Sequence, residues 1–488
     1  MTHPFLENAP KQLFIDGGWR PAISGETFDC INPSTGEVLA KVARGGAADI
    51  DVAVAAARRA FSGEWADWKP FDRQSLILRV ADAIEQRFDE LAHLESLDMG
   101  APIARTSTFR RWIRQTFQYY AAAAVGLRGE VFSNSVPGDF LSYSLKIPVG
   151  VVGAIIPWNG PLITQLWSIC PTLASGCTLI LKPAEEAPLS ALMMAEILHE
   201  AGVPIGVVNV VPGPGPTAGA ALAAHRDVDK VTFTGSTATG RKIVEASAIN
   251  MKRVSIELGG KSPDIVFADA DLDAAARGAA MACFNNTGQI CFAGTRLLVE
   301  RSIYDDFVVR VADIGKTLKV GTSLEPSSQL GPLASRAQLD RVTGYFKVAQ
   351  EDGARIISGG VRLGGDLAAG FFVEPTVVVD VTNDMRIARE EVFGPVLVAI
   401  PFDDEADAIA LANDTGYGLG GGVWSRDVGR VHRVTRALRC GMAWANCYGV
   451  TDPGVTFTGS KLSGYGVKGG PWHLDEYMLT KTIWLNLA

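Results

Sequence analysis

The sequence lacks any Cys-x-x-Cys pair. Its cysteines are odd in number and scattered, at Cys30, Cys170, Cys177, Cys283, Cys291, Cys440 and Cys447. That pattern argues against a disulfide framework and a structural zinc site, and for a reducing compartment. The six histidines show no ligand spacing, so no metal site is expected. No apolar run approaches the ~18 residues of a membrane span. Residues 1–11 have neither the basic nor the apolar region of a secretory leader, and a cytoplasmic location is expected. The formal net charge is -8 with no Lys/Arg cluster, which speaks against a nucleic-acid partner. Internal repeats and low-complexity linkers are absent too.

What is present is a chain of 488 residues rich in Ala, Val, Leu and Gly. That length allows about three domains. From residue 151 onward the pattern is regular. Apolar strand candidates at 151–156, 178–181, 207–211, 231–233 and 254–256 alternate with helix candidates at 162–173, 189–201, 217–225 and 238–247. Such alternation predicts a parallel sheet covered on both faces, with a nucleotide at the C-terminal strand ends. Ahead of it, helices are predicted over 48–61, 72–99 and 103–127, with Gly100 as a C-cap. Behind it, strands are predicted at 264–267, 296–300, 371–379, 396–402 and 421–424. The alternating segment 140–148 reads as a strand with a solvated or partner-facing side. The strand-like tail 481–487 could pair with it or with another subunit.

One cysteine stands apart. Cys291 sits in Gly288-Gln289-Ile290-Cys291-Phe292-Ala293-Gly294, after a helix-like run over 271–284. A thiol on a turn is reachable, and the thiolate is a strong nucleophile, although most free cysteines are simply small buried hydrophobes. Five further stretches add to it. Thr234-Gly235-Ser236 follows a strand and opens a helix whose N–H groups suit a pyrophosphate, but a plain tight turn would read the same. Lys182-Pro183-Ala184-Glu185 ends a strand and could reach ribose hydroxyls or form a solvated pair. Pro157-Trp158-Asn159-Gly160 places an amide donor at a strand end, for an oxyanion or for an Asx turn. Glu257, before Leu258-Gly259-Gly260-Lys261, is a carboxylate in an apolar strand, with a raised pKa if it is unpaired. Glu391 and Phe393, two apart in extended chain, point the same way and could hold a ribose and flank a flat ring.

In their order and wording these stretches resemble the aldehyde dehydrogenase superfamily over essentially the whole chain. Glu257-Leu258-Gly259-Gly260-Lys261 and Gly288-Gln289-Ile290-Cys291 look like its two active-site signatures. The resemblance implies an α/β fold with three parts. They are a Rossmann-like NAD-binding domain over 1–126 and 149–258, a catalytic domain over 259–460, and a small β oligomerisation sheet drawn from 127–148 and 461–488. Homodimers or homotetramers follow from the same likeness.

It also implies roles. Cys291 attacks the aldehyde, Asn159 and the Cys291 N–H hold the oxyanion, and Glu257 activates water against the thioester. Ile156, Pro157, Trp158, Lys182, Glu185, Gly235, Ser236, Leu258, Glu391 and Phe393 surround NAD. Three departures stand out: Lys468 where an acid is common, Thr456-Phe457-Thr458-Gly459 for Pro-Phe-Gly-Gly, and Gly160 where an aromatic is frequent. Gly160, Trp167, Ile290, Phe292, Val450 and Phe457 are the substrate-wall candidates. No cation adjoins them in sequence, which points to a medium or bulky apolar aldehyde. A CoA-acylating semialdehyde dehydrogenase would lack the glutamate base, and a non-catalytic relative would not need Cys291, Asn159 and Glu257 together.

Overall fold

The computed structural model describes residues 3–7 and 11–488. Two α/β units and one small sheet account for most of the chain. The first unit is an eight-stranded sheet in the order Gly18–Arg20, Leu13–Ile15, Val208–Val210, Thr178–Lys182, Val151–Ile155, Lys230–Gly235, Arg253–Leu258 and Gly464–Tyr465. Its five central strands run parallel. They are nearly all buried, so they carry continuous apolar runs rather than alternation. The chain first adds strands on one side of Val151–Ile155, then crosses to the other side with Lys230–Gly235. That reversal opens a crevice beyond the C-terminal strand ends, where Pro157-Trp158-Asn159 and Gly235-Ser236 emerge.

The second unit is a seven-stranded sheet, parallel except for the edge strand Arg355–Ser358. The helix Leu272–Phe284 packs on it and delivers the chain to Cys291. The small sheet has three strands. Met478–Asn486 pairs antiparallel with Phe140–Pro148 along its whole length, and Val131–Phe132 flanks the pair. Residues 461–488 are therefore divided, because Gly464–Tyr465 belongs to the edge of the first sheet, beside Ile256 and Glu257.

Several elements are shorter than the sequence suggests. The helix expected over 72–99 is two, Pro70–Gln86 and Phe88–Met99, with Arg87 leaving helical geometry at φ -108, ψ 14. No Gly or Pro marks that joint; Asp89 and Glu90 open the second helix and favour its N-terminus. The helix over 103–127 divides likewise, into Ile103–Thr106 and Phe109–Val125. The strand over 371–379 is confined to Thr376–Val379, since Pro375 cannot donate to a ladder. Gly100 does cap its helix, at φ 84. No helix among the described residues is long and apolar enough to cross a membrane.

Candidate active site

The segment that carries Cys291 is built on an uncommon backbone. After the helix ending at Phe284, Asn286, Thr287 and Gly288 take φ of 53, 55 and 71. A β-branched threonine in that region is strained, so its surroundings must hold it there. They do so with hydrogen bonds. Thr287 Oγ1 donates to Gly331 O at 2.9 Å, and the Asn286 amide donates to Asn159 O at 3.0 Å and to Gln289 O at 3.1 Å. The Gln289 side chain accepts from Ala334 N at 2.9 Å and donates to Asn286 O at 3.2 Å. Gly288 is required by close approach as well: a Cβ there would lie 2.0 Å from the Gly394 carbonyl oxygen. Tyr448 Oη braces the far side by donating to Phe292 O at 2.8 Å.

The turn presents Cys291, partly exposed, on the wall of a cleft of about 650 Å³ between the two units. Beside it is Glu257, which is 3% exposed and whose carboxylate oxygens have no hydrogen-bond partner of good geometry among the described residues. Burial pushes this carboxyl up to about 7, while the neighbouring thiol and the Lys468 cation pull the other way. Cys291 is raised well above an ordinary thiol, first by burial and then by the Glu257 carboxylate. The Glu257 carboxylate thus holds the proton on the thiol, while the thiol favours the ionised carboxylate. Asn159 faces the same cleft, with Nδ2 donating to Gln289 O at 2.9 Å. One Nδ2 hydrogen remains for a ligand. The Cys291 N–H finds no backbone acceptor among the described residues.

The other expected residues divide into those on the cleft wall and those off it. Pro157, Trp158, Gly160, Trp167, Gly235, Ser236, Leu258, Ile290, Phe292, Glu391, Phe393 and Phe457 line it. Trp158 and Phe393 meet edge to face at 5.3 Å between centroids. The main chain of Val392 and Phe393 is held by Gln338 and Arg341 of the helix Arg336–Glu351, and Phe393 sits at φ 61. Glu391 accepts from Gly260 N at 2.9 Å, and burial raises its carboxyl to about 7. Trp167 packs at a tilt against Phe457 at 5.2 Å, and Phe292 meets it edge to face at 5.8 Å.

Ile156 is buried away from the wall. Lys182 and Glu185 pair at 3.1 Å outside the cleft lining, and Glu185 also accepts from Gly215 N at 3.2 Å. Burial works against that carboxylate's charge, but Lys182 and the Gly215 N–H outweigh it and hold the group below its usual range. Val450 lines a neighbouring hollow of about 260 Å³ instead, which shares Trp112, Trp167, Thr451 and Phe457 with the cleft.

Sequence reasoning misses four contributors. Trp112 and Tyr448 add aromatic surface, Arg341 steadies the Glu391 segment, and Arg105 brings a guanidinium into the cleft. No cation adjoins the wall candidates in sequence, but Arg105, far from the motifs in the chain, reaches the same wall through the fold. Lys468, found where an acid was expected, is buried and donates to the Thr232 hydroxyl. Burial and the nearby Lys230 lower its pKa to about 7.

Comparison with known proteins shows one family over nearly the whole chain. The model of the Aldehyde dehydrogenase family matches residues 19–483. Aldehyde dehydrogenase 1 of Tanacetum cinerariifolium is 44% identical over 476 residues, covering 97% of this chain and 94% of that one. The crystal structure of a single-site variant of an aldehyde dehydrogenase from Bacillus cereus superposes with a TM-score of 0.97 at 43% identity, over 100% of this chain and 98% of the other. A betaine aldehyde dehydrogenase from Staphylococcus aureus in complex with NAD+ gives a TM-score of 0.97 at 38% identity, over 99% and 97%.

Proposed function

The chain belongs to the aldehyde dehydrogenase family, and from that premise we propose that it oxidises a medium or bulky, apolar-bodied aldehyde to the free acid with NAD, through a thioester on Cys291. The observation that carries this reading is the convergence of Cys291, Glu257 and Asn159 on one cleft.

The residues fit the cofactor. The helix Thr237–Ser247 opens on the cleft with an exposed Ser236 cap, so its free N–H groups suit a diphosphate. Gly259 keeps its space clear for the Glu391 carboxylate, which a Cβ would meet at 2.1 Å. Ile156, Pro157, Leu258 and the Lys182–Glu185 pair support the adenosine side, and Glu391 with Phe393 the ring side. When bound, NAD supplies the acceptor for the hydride that leaves the thiohemiacetal.

The chain's own groups do the rest. Sγ of Cys291 bonds to the aldehyde carbon as its proton passes to Glu257, whose raised pKa suits that transfer. Asn159 Nδ2 and the Cys291 N–H hold the oxyanion. Glu257 releases its proton to solvent, then takes one from the water that attacks the thioester carbon. The C–S bond breaks and the carboxylate leaves.

The substrate walls are mainly apolar and aromatic, from Gly160, Trp167, Ile290, Phe292 and Phe457, with Val450 in the adjoining hollow. Gly160 widens the neck, since a Cβ there would meet nothing within 4 Å. We assign cofactor binding to 1–126 and 149–258, catalysis to 259–460, and assembly as a homodimer or homotetramer to 127–148 and the Met478–Asn486 part of 461–488. The exposed Trp484, Leu485 and Val131 of the small sheet suit such an interface. Free cysteines throughout are compatible with the cytoplasm.

The test is an NADH assay with an aldehyde panel, with and without CoA. NADH and free acid without CoA support the reading; turnover only with CoA, or none, defeats it.

A further inference from the structure

One cation on the cleft wall, Arg105, has no hydrogen-bond or ion-pair partner among the described residues. Arg105 lies in the short helix Ile103–Thr106, and its Nη1 is buried without a hydrogen bond. The guanidinium lies over the Phe109 ring, 4.8 Å from the centroid, and both residues face the cleft. Among the described residues, Glu95 is the one carboxylate whose charge acts on it appreciably. Both Glu95 oxygens already accept from Leu162 N, at 3.1 and 3.3 Å, and burial raises that carboxyl to about 7. Burial lowers the guanidinium only to about 10, so it remains a cation at neutral pH. A buried, unpaired charge is costly, and in a binding cleft an anionic ligand offsets the cost. Gly160, on the same wall, leaves its side-chain space open.

We propose that Arg105 receives a carboxylate carried by the substrate at the end remote from its aldehyde group, so that the preferred substrate is an aromatic or long-chain aldehyde acid. The planar fork of a guanidinium matches a carboxylate through two parallel N–H···O bonds, and the ring beneath it fixes its plane. The apolar walls hold the body of such a molecule between its two polar ends. The inference rests on the proposed function only for which end faces Cys291; recognition of the carboxylate is separable from turnover.

The experiment compares kcat/KM for benzaldehyde and 4-carboxybenzaldehyde in the wild-type enzyme, Arg105→Met and Arg105→Lys. Calorimetric binding of 4-methylbenzoate and of 4-methylbenzamide accompanies it. The wild type is expected to favour the carboxylated aldehyde by roughly 10–100-fold, mostly through KM, the scale of hydrogen bonds to a charged group. Arg105→Met should bring the ratio close to unity and abolish 4-methylbenzoate binding, and Arg105→Lys should fall between. Equal efficiencies in the wild type, which need no variant to fold, overturn the proposal, as does a preference that survives in Arg105→Met. If neither aldehyde yields NADH but 4-methylbenzoate binds through Arg105, the catalytic reading fails and the carboxylate site stands.

Discussion

The side-chain amide of Asn159 donates to the main-chain carbonyl of Gln289 at 2.9 Å, two residues before Cys291. The Asn286 amide returns a bond to Asn159 O at 3.0 Å. Asn159 and Cys291, the proposed oxyanion donor and nucleophile, stand on separate units of the fold and are thus tied through one short segment. Asn159→Asp keeps the size but replaces a donor by an acceptor. It should lower kcat by roughly 10²–10³-fold, the scale of losing one oxyanion donor. Stopped-flow NADH formation checks this, and a near-normal rate would remove Asn159 from the site.

Glu257 sets a pH dependence. Its carboxyl titrates near 7 rather than in the usual carboxylate range, because burial disfavours the charge. Only the ionised form takes a proton from water. Thioester hydrolysis should therefore rise with pH, level off above about 7, and fall about tenfold per unit below it. Single-turnover hydrolysis rates across pH give the profile, and an acid limb near the ordinary carboxylate value would contradict it.

Glu185 should bear on cofactor choice. Lys182 and the Gly215 N–H hold its carboxylate ionised. A 2′-phosphate beside it meets like charge, so NAD should be preferred to NADP. Glu185→Gln should narrow the preference. Equal catalytic efficiency with both cofactors in the wild type would refute the role.

Gly160 should govern substrate bulk. Gly160→Phe fills open space on the cleft wall. The penalty should be greatest for the bulkiest aldehydes and small for acetaldehyde, with each lost methylene contact worth up to ~0.8 kcal/mol. A uniform loss across a homologous series would show that the neck lies elsewhere.

What is legible in the sequence is local, and the structure brings it to one cleft. Cys291, Glu257 and Asn159 each sit in a short motif whose chemistry is carried by adjacent residues, and the parallel sheet announced itself through strand–helix alternation. The illegible part depended on the fold. Arg105 lies on a helix with no motif, and only the packing of Ile103–Thr106 against the cleft brings it to the wall. The joint at Arg87 lacked a Gly or Pro because ordinary residues can leave helical geometry without a left-handed turn. The run of positive φ at Asn286–Gly288 was hidden for a different reason. It is held by distant partners, Gly331, Ala334 and Gly394, that no local reading could supply.

The central claim is a covalent thioester on Cys291 that Glu257 helps to hydrolyse. Its most direct measurement is peptide mass spectrometry of Glu257→Gln after reaction with NAD and benzaldehyde, with NADH counted in parallel. General-base loss should slow hydrolysis by roughly 10²–10⁴-fold, while the thiol proton can pass to solvent in place of Glu257, so acylation continues and the acyl enzyme should accumulate. The account predicts one benzoyl group on the peptide bearing Cys291, one NADH per site, and neither product from Cys291→Ala. A benzoyl group on another residue, or sustained NADH formation by Cys291→Ala, would contradict it.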